Sequence, residues 1–258
     1  MQIKSKKNII DHFNKGIKKN LFIGVENEKF LFEEKSNKRA SYNKVRQTLE
    51  ILKKNFNWKE VKEDENLIGL KLGGKSISLE PGNQIELAGD KLENIHQVCS
   101  ESYTFQNQLE KACKEIGLKT LSVGYDQNQL EKICKEIGLK TLSVGYDPFS
   151  NIDDVPNNPK QRYKVMTVEM PKDGELSLNM MYQTSGTQIN LDYLSEDDFK
   201  KKFKLISYLT PLSIAVFANS PIIENKPSGY LSYRAKVWHK TSRGGLPKIF
   251  LENMDFEK

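Results

Sequence analysis

Between Ser76 and Gly89 the chain reads Ser-Ile-Ser-Leu-Glu-Pro-Gly-Asn-Gln-Ile-Glu-Leu-Ala-Gly, and no other stretch limits the fold as tightly. Ile77 and Leu79 alternate with Ser76, Ser78 and Glu80; beyond Pro81-Gly82-Asn83, Ile85 and Leu87 alternate with Gln84 and Glu86. Alternation on both sides of a Pro-Gly-Asn turn predicts a β-hairpin with one apolar face. Strand side chains change sides at every residue, so Glu80, Gln84 and Glu86 share the face opposite the aliphatics. Polar strand faces commonly just meet water, so the hairpin alone reads as a solvated surface unless a second strand supplies partners.

That second strand is Leu21–Phe32, rich in β-branched and aromatic residues but carrying Glu26 and Glu28. Two apart on a strand, the two glutamates share a face about 6.5 to 7 Å apart. They suit coordination of one or two divalent ions, or equally an edge strand with wet carboxylates. Acidic groups in an apolar strand are costly to bury unpaired, so a cation or an arginine is expected opposite them.

The rest of the chain alternates helix and strand signals without a clear linker, which favours one domain. Ile9, Phe13 and Ile17 predict an amphipathic helix over Ser5–Lys19, and Val45, Leu49, Leu52 and Phe56 a second over Ser41–Phe56. Strand signals at Trp58–Val61 and Leu67–Leu72 lead through Gly73-Gly74 into the hairpin as an antiparallel meander. Apolar positions from Leu92 to Ile116 keep a helical seam for about seven turns, which Gly117 should stop. Gln106–Asp126 is then repeated as Gln127–Asp147, with Ala112 against Ile133 the one difference. Two copies are too few for a solenoid. Either both strands of the unit enter the sheet in parallel, or one copy is extruded. After a Pro-rich loop to Pro159, the run from Arg162 to Met170 suits helix or strand, Thr187–Tyr193 alternates as a strand, and Ser195 with Asp198 caps a long helix that Pro211 should kink. A strand-like Lys248–Leu251 close to the last residue, Lys258, reads as a fragment of a larger unit.

The net charge of +6 comes from scattered lysines with no aromatic-interleaved basic stripe, which argues against nucleic acid. Cys99, Cys113 and Cys134 lack metal spacing and suit reduced thiols in a cytoplasmic protein. No run approaches the roughly 18 apolar residues of a membrane span. His12, His96 and His239 have no Ser or Cys arrangement around them, and no Gly-rich phosphate loop is present. What remains is a carboxylate set (Glu26, Glu28, Glu80, Glu86) and later arginines (Arg162, Arg234, Arg243). Strand carboxylates suit Mg²⁺ that also holds phosphates, and guanidinium forks suit a substrate carboxylate or phosphoryl group. Together they suggest ATP-driven activation of an acid.

The blocks IGVENEKFLF, ISLEPGNQIELAGDKLENIHQVC, VPNNPKQRYKVM, LNMMYQTSGTQINLDY and FANSPIIENKPSGYLSYRAKVW, in this order, resemble the plant and proteobacterial type of glutamate–cysteine ligase. The resemblance implies an α+β fold with a glutamine synthetase-like antiparallel sheet and flanking helices, one partial catalytic domain over 1–258, and a C-terminal part missing. It implies ATP-dependent joining of the glutamate γ-carboxylate to cysteine through a γ-glutamyl phosphate, with ATP and Mg²⁺ or Mn²⁺. By position it implies metal and nucleotide roles for Glu26, Glu28, Glu80 and Glu86. It places glutamate binding at Arg162, Thr184, Thr187, Arg234 and Trp238, with Arg162 and Arg234 catalytic. The chain departs from the family pattern at Asn27 between the paired glutamates and at Gln183-Thr184-Ser185-Gly186. Two other readings share these residues: a related carboxylate–amine ligase of another thiol pathway, and a fragment that binds glutamate or nucleotide without turnover.

Overall fold

The computed structural model describes residues 5–122, 144–172 and 174–241, and the structural statements that follow concern these residues. The strand expected from Leu21 forms as β1 (Ile23–Glu33), in the interior of a seven-stranded sheet. Strands β2 (Lys59–Glu63), β3 (Asn66–Leu72), β4 (Lys75–Leu79) and β5 (Ile85–Ala88) form the predicted meander, and β5 lies along β1 with Glu86 opposite Glu28. On the other edge of β1, β6 (Leu118–Ser122) pairs with residues 29–33 and β7 (Thr187–Leu191) with residues 23–27. All of these pairings are antiparallel, and with helices flanking the sheet the fold is α+β.

Alternation along β1 sorts its side chains onto two faces. Leu31 joins Ile77, Leu79, Ile85 and Leu87 in the main core under α2 (Tyr42–Phe56) and α3 (Ile95–Lys114). Val45, Leu49 and Leu52 recur at helical spacing on α2 and are fully buried there, each contributing on the order of 2 kcal/mol by leaving water. Asn57 ends α2 in the left-handed region (φ 60°), which Asn tolerates. On the same side, Asn27 donates to Ser102 Oγ at 3.2 Å. Glu26 and Glu28 face the opposite side, with Phe30 and Phe32 beyond them packed on Val144 and Phe149.

Several sequence expectations are corrected. The α3 seam is shorter than Leu92–Ile116, because the Asn94 side chain caps the helix by accepting the Gln97 amide at 3.1 Å. Leu92 therefore bridges Ile23 in extended form, Ile95 is exposed, and the buried residues are Val98, Phe105, Leu109, Ala112 and Cys113. The N-terminal helix α1 spans only Lys6–Asn14 and buries none of its residues. The run after Arg162 is helical, α4 (Gln161–Glu169). Two helices of seven residues were not foreseen, α5 (Ser177–Gln183) and α7 (Tyr233–His239); between them, after β7, runs the expected long helix, the 21-residue α6 (Glu196–Val216). Seven residues make only two turns, too few for a period to show. The cap of α6 is as expected, with Ser195 Oγ accepting the Asp198 amide at 3.1 Å, and the helix continues through Pro211.

The tandem repeat contributes one composite unit to the described fold. Gln106–Ser122 of the first copy supplies the end of α3 and β6, while Val144-Gly145-Tyr146-Asp147 of the second copy packs against Phe30 and α5. Joined, the two pieces spell one complete copy, QNQLEKACKEIGLKTLS and VGYD. The second-copy strand expected at Thr141–Val144, Cys134, Arg243 and Lys248–Leu251 fall wholly or mostly outside the described residues.

Candidate active site

The sheet face that carries Glu26 and Glu28 floors a cavity of about 290 Å³. Glu26, Glu28, Glu80, Glu86, Arg162, Thr184, Thr187, Arg234 and Trp238, the site residues that the family resemblance implies, all line it. Register explains the floor: Glu28 opposes Glu86 on β5, and Glu86 opposes Ser78 on β4, whose hydroxyl donates to Glu86 Oε1 at 3.2 Å. Glu26 opposes Gln188 on β7 and accepts from Asn190 Nδ2 at 3.0 Å.

One wall rises from the hairpin turn. The Glu80 amide donates to the Gln84 carbonyl at 2.8 Å and Asn83 takes a left-handed conformation (φ 61°), closing the turn beside Glu80. Helix α4 docks here: Tyr163 Oη donates to the Leu79 carbonyl at 2.9 Å and to Glu80 Oε1 at 3.2 Å. Arg162 stacks on the Tyr163 ring at 4.6 Å and approaches Glu80 at 3.9 Å, but its side chain is 63% exposed, at the cavity rim. The other wall is the segment after α5. The Gly186 amide donates to Glu28 Oε2 at 2.7 Å. A Cβ on Gly186 would lie 3.1 Å from Arg234 Nη2, so this residue lets the backbone pass between Glu28 and the guanidinium. Four apart on α7, Arg234 and Trp238 share a face, the guanidinium 5.4 Å from the ring. The two arginines thus attend different carboxylates instead of forming one fork.

Burial and mutual repulsion dominate the floor. Burial, then Glu80 and Glu86, push the Glu28 carboxyl up to about 7 against the opposing pull of the Gly186 amide and Arg234. Glu86 is pushed up to about 7 by burial, then Glu80 and Glu26. Glu80 is also raised by burial, with Lys160, Arg162 and Tyr163 opposing. Arg234 is lowered by burial and supported by Glu28, and its Nε is buried with no hydrogen-bond partner.

The chain is similar to known proteins over most of its length. The family model described as glutamate-cysteine ligase family 2 (GCS2) matches residues 22–128 and 125–258. The chain belongs to the glutamate-cysteine ligase family. It is 39% identical over 244 residues to glutamate–cysteine ligase A, chloroplastic, of Oryza sativa subsp. japonica, covering 93% of this chain and 45% of that protein. It is 38% identical over 239 residues to the chloroplastic glutamate–cysteine ligase of Nicotiana tabacum (92% and 42%) and over 259 residues to that of Medicago truncatula (98% and 47%). The chain therefore spans about 42 to 47% of the length of these curated relatives. The two family matches overlap at residues 125–128, across the junction of the tandem copies.

In this ligase-family chain the donor set fits a hard divalent cation in chemistry, though not as a closed cage. Burial raises Glu28, Glu80 and Glu86, and neighbouring carboxylates add to the rise at Glu28 and Glu86, a repulsion that an oxygen-seeking ion would offset. Among the described residues no three His, Cys, Asp or Glu side chains converge to hold a metal by themselves. Mg²⁺ typically uses one or two carboxylates plus phosphate oxygens and water, so the set suits a cation shared with a nucleotide. Sequence reasoning overlooked Tyr163, Gly186, Gln188 and the thioethers Met166, Met180 and Met181, which also line the cavity. Tyr163 adjoins Arg162 in the sequence and could have been included; Gly186 acts through its backbone and leaves no chemical signal. Thr184 has its hydroxyl turned back to the Met180 carbonyl at 2.6 Å, and Thr187 donates to Asn27 Oδ1 at 3.3 Å.

Proposed function

We propose that this cavity binds L-glutamate and ATP with Mg²⁺ or Mn²⁺ and forms γ-glutamylcysteine with L-cysteine, the first step of glutathione biosynthesis, in a cytoplasmic setting. The observation that carries the reading is the cross-strand pair Glu28 and Glu86, both pushed up to about 7, lining with Arg234 one cavity of a glutamate-cysteine ligase family chain. A γ-carboxylate oxygen of glutamate bonds to the terminal phosphorus of ATP as the bond to ADP breaks. The cysteine amine then bonds to the acyl carbon, inorganic phosphate leaves, and the amine gives up a proton.

Within the set Glu26, Glu28, Glu80 and Glu86, one or two carboxylates would hold each divalent ion, with phosphate oxygens and water completing its shell. The bound ion supplies charge neutralisation for the phosphates. Arg234, with an unused buried N–H and Trp238 against it, receives the α-carboxylate of glutamate. Arg162, at the rim, meets the phosphoryl oxygens or the carboxylate that enters there. Preorganised donors of this kind lower the barrier by fixing the reacting γ-carboxylate before phosphate arrives.

The test is ADP release measured with glutamate and cysteine together and with each omitted. Release that requires both amino acids is the expected result; release indifferent to cysteine sinks the ligase reading. One second reading is glutamate or nucleotide binding without turnover, favoured by a site in which no three acidic, His or Cys side chains of the described residues converge on a metal. Calorimetric binding with no ADP release would establish it.

A further inference from the structure

Behind the cavity, one buried arginine joins four segments of the chain. Arg39 bridges to Phe32 just after β1, and its side chain is 1% exposed. Its Nη1 donates to Asp147 Oδ2 at 2.9 Å and to the Tyr182 carbonyl at 3.3 Å, and its Nη2 donates to the Gly82 carbonyl. The guanidinium lies 4.5 Å from the Phe30 ring centre and 5.6 Å from that of Phe32. Asp147 in turn accepts the Phe149 and Ser150 amides at 2.9 and 3.0 Å.

These contacts tie the two cavity walls together. Gly82 lies in the turn between Glu80 and Gln84, and Tyr182 lies near the end of α5, just before Thr184 and Gly186. Gln84 Nε2 crosses the same junction, donating to the Tyr182 and Thr184 carbonyls at 3.3 and 3.0 Å. A Cβ on Gly82 would lie 2.5 Å from the Tyr182 carbonyl oxygen, so the turn and the helix end are in direct backbone contact.

We infer that Arg39, which does not line the cavity, is a positioning residue: it sets the separation between the turn that carries Glu80 and the segment whose Gly186 amide holds Glu28. A planar guanidinium can reach three acceptors on three segments at once, whereas a lysine offers one nitrogen. Asp147 offsets the cost of burying the charge. The geometry stands by itself; only the consequence for substrate binding rests on the function proposed above.

The experiment is residue-resolved amide exchange on the full chain carrying Arg39→Lys, which keeps a positive charge opposite Asp147. Exchange at Gly186 and at Asn83, whose amide bonds the Glu80 carbonyl, is expected to quicken about ten- to a hundredfold. Leu49 and Leu52 in α2 and Leu109 in α3 should keep their wild-type rates, and in the active protein KM for glutamate should rise more than kcat falls. The double variant Arg39→Met with Asp147→Asn removes both charges and leaves acceptors for the Phe149 and Ser150 amides; it should show the same local pattern if Arg39→Lys fails to fold. Wild-type exchange at Gly186 and Asn83 in a folded variant overturns the assignment. So does equal quickening at α2 and α3 in both variants, which marks a general stabiliser. If the wild-type chain releases no ADP, the proposed function fails while the exchange pattern still decides the role of Arg39.

Discussion

Glu28 and Lys29 are neighbours on β1, both largely buried, and they face opposite sides of the sheet. Lys29 lies under α3, where burial pushes it down to about 8 and Glu110 pulls it back. Glu28 faces the cavity, where burial and two further carboxylates push it up to about 7. One face therefore buries a charge beside an opposite one and closes with helices. The other gathers like charges and stays open, a cost to stability that a bound cation could relieve. A covered face serves stability; the open face keeps a repulsion among carboxylates that Arg234 and Lys160 offset only in part.

The largest effect should come from the covered face. Leu109→Ala removes a fully buried side chain beneath the sheet and should lower unfolding free energy by about 2 to 5 kcal/mol in a denaturant titration. Ligand affinity of the remaining folded protein should stay as it was; a parallel loss would mean that the faces are not independent. Glu28→Gln should do the reverse. Nucleotide affinity in the presence of Mg²⁺ should fall about tenfold or more, with thermal stability unchanged or raised. Unchanged affinity would remove Glu28 from the cation site.

The faces should also pull pH dependence in opposite directions. Glu28 and Glu86 have folded values above their unfolded ones, so their contribution is greatest below about pH 4.5 and is lost as pH rises to about 7. Lys29 has a folded value below its unfolded one, so stability should recover as pH passes upward through about 8. Burial of the Cys113 thiol, raised to about 12, opposes that recovery above about pH 9. Metal-free protein should thus show a shallow minimum in melting temperature near pH 7 to 8. Glu28→Gln should weaken the falling limb and Lys29→Met the rising one. The smallest effect concerns the repeat. Deleting residues 123–143 leaves one uninterrupted copy and should raise the melting temperature by about 2 to 4 °C, because 21 fewer residues need to be accommodated. A clear drop would show that those residues carry structure the fold uses.

Much of this was legible without coordinates where a local period coincided with burial. The hairpin and the shared face of Glu26 and Glu28 follow from alternation, α2 from helical spacing, and β1 from its β-branched and aromatic content. The short helices α5 and α7 did not, since two turns give too little period, and the α3 seam was overextended because Asn94 interrupts an apolar spacing that otherwise continues. The resemblance to a family named the site residues, yet it did not separate Arg162 at the rim from Arg234 beside Glu28. Neither did it reveal that Gly186 acts through its amide. The repeat was conspicuous in the sequence, but that Val144 of the second copy packs on Phe30 was not, because identical copies carry identical propensities.

By itself, then, the order of residues determined which side chains share a strand face and which helices have an apolar stripe, because periods of 2 and 3.6 are properties of neighbouring residues. Tertiary structure alone decided that Glu28 meets Glu86 across a strand pair, that Arg234 rather than Arg162 lies against it, and that Arg39 fastens the walls through Asp147. Those are contacts between segments far apart in the chain, fixed by strand register and by where buried charges find partners, and no local pattern encodes them.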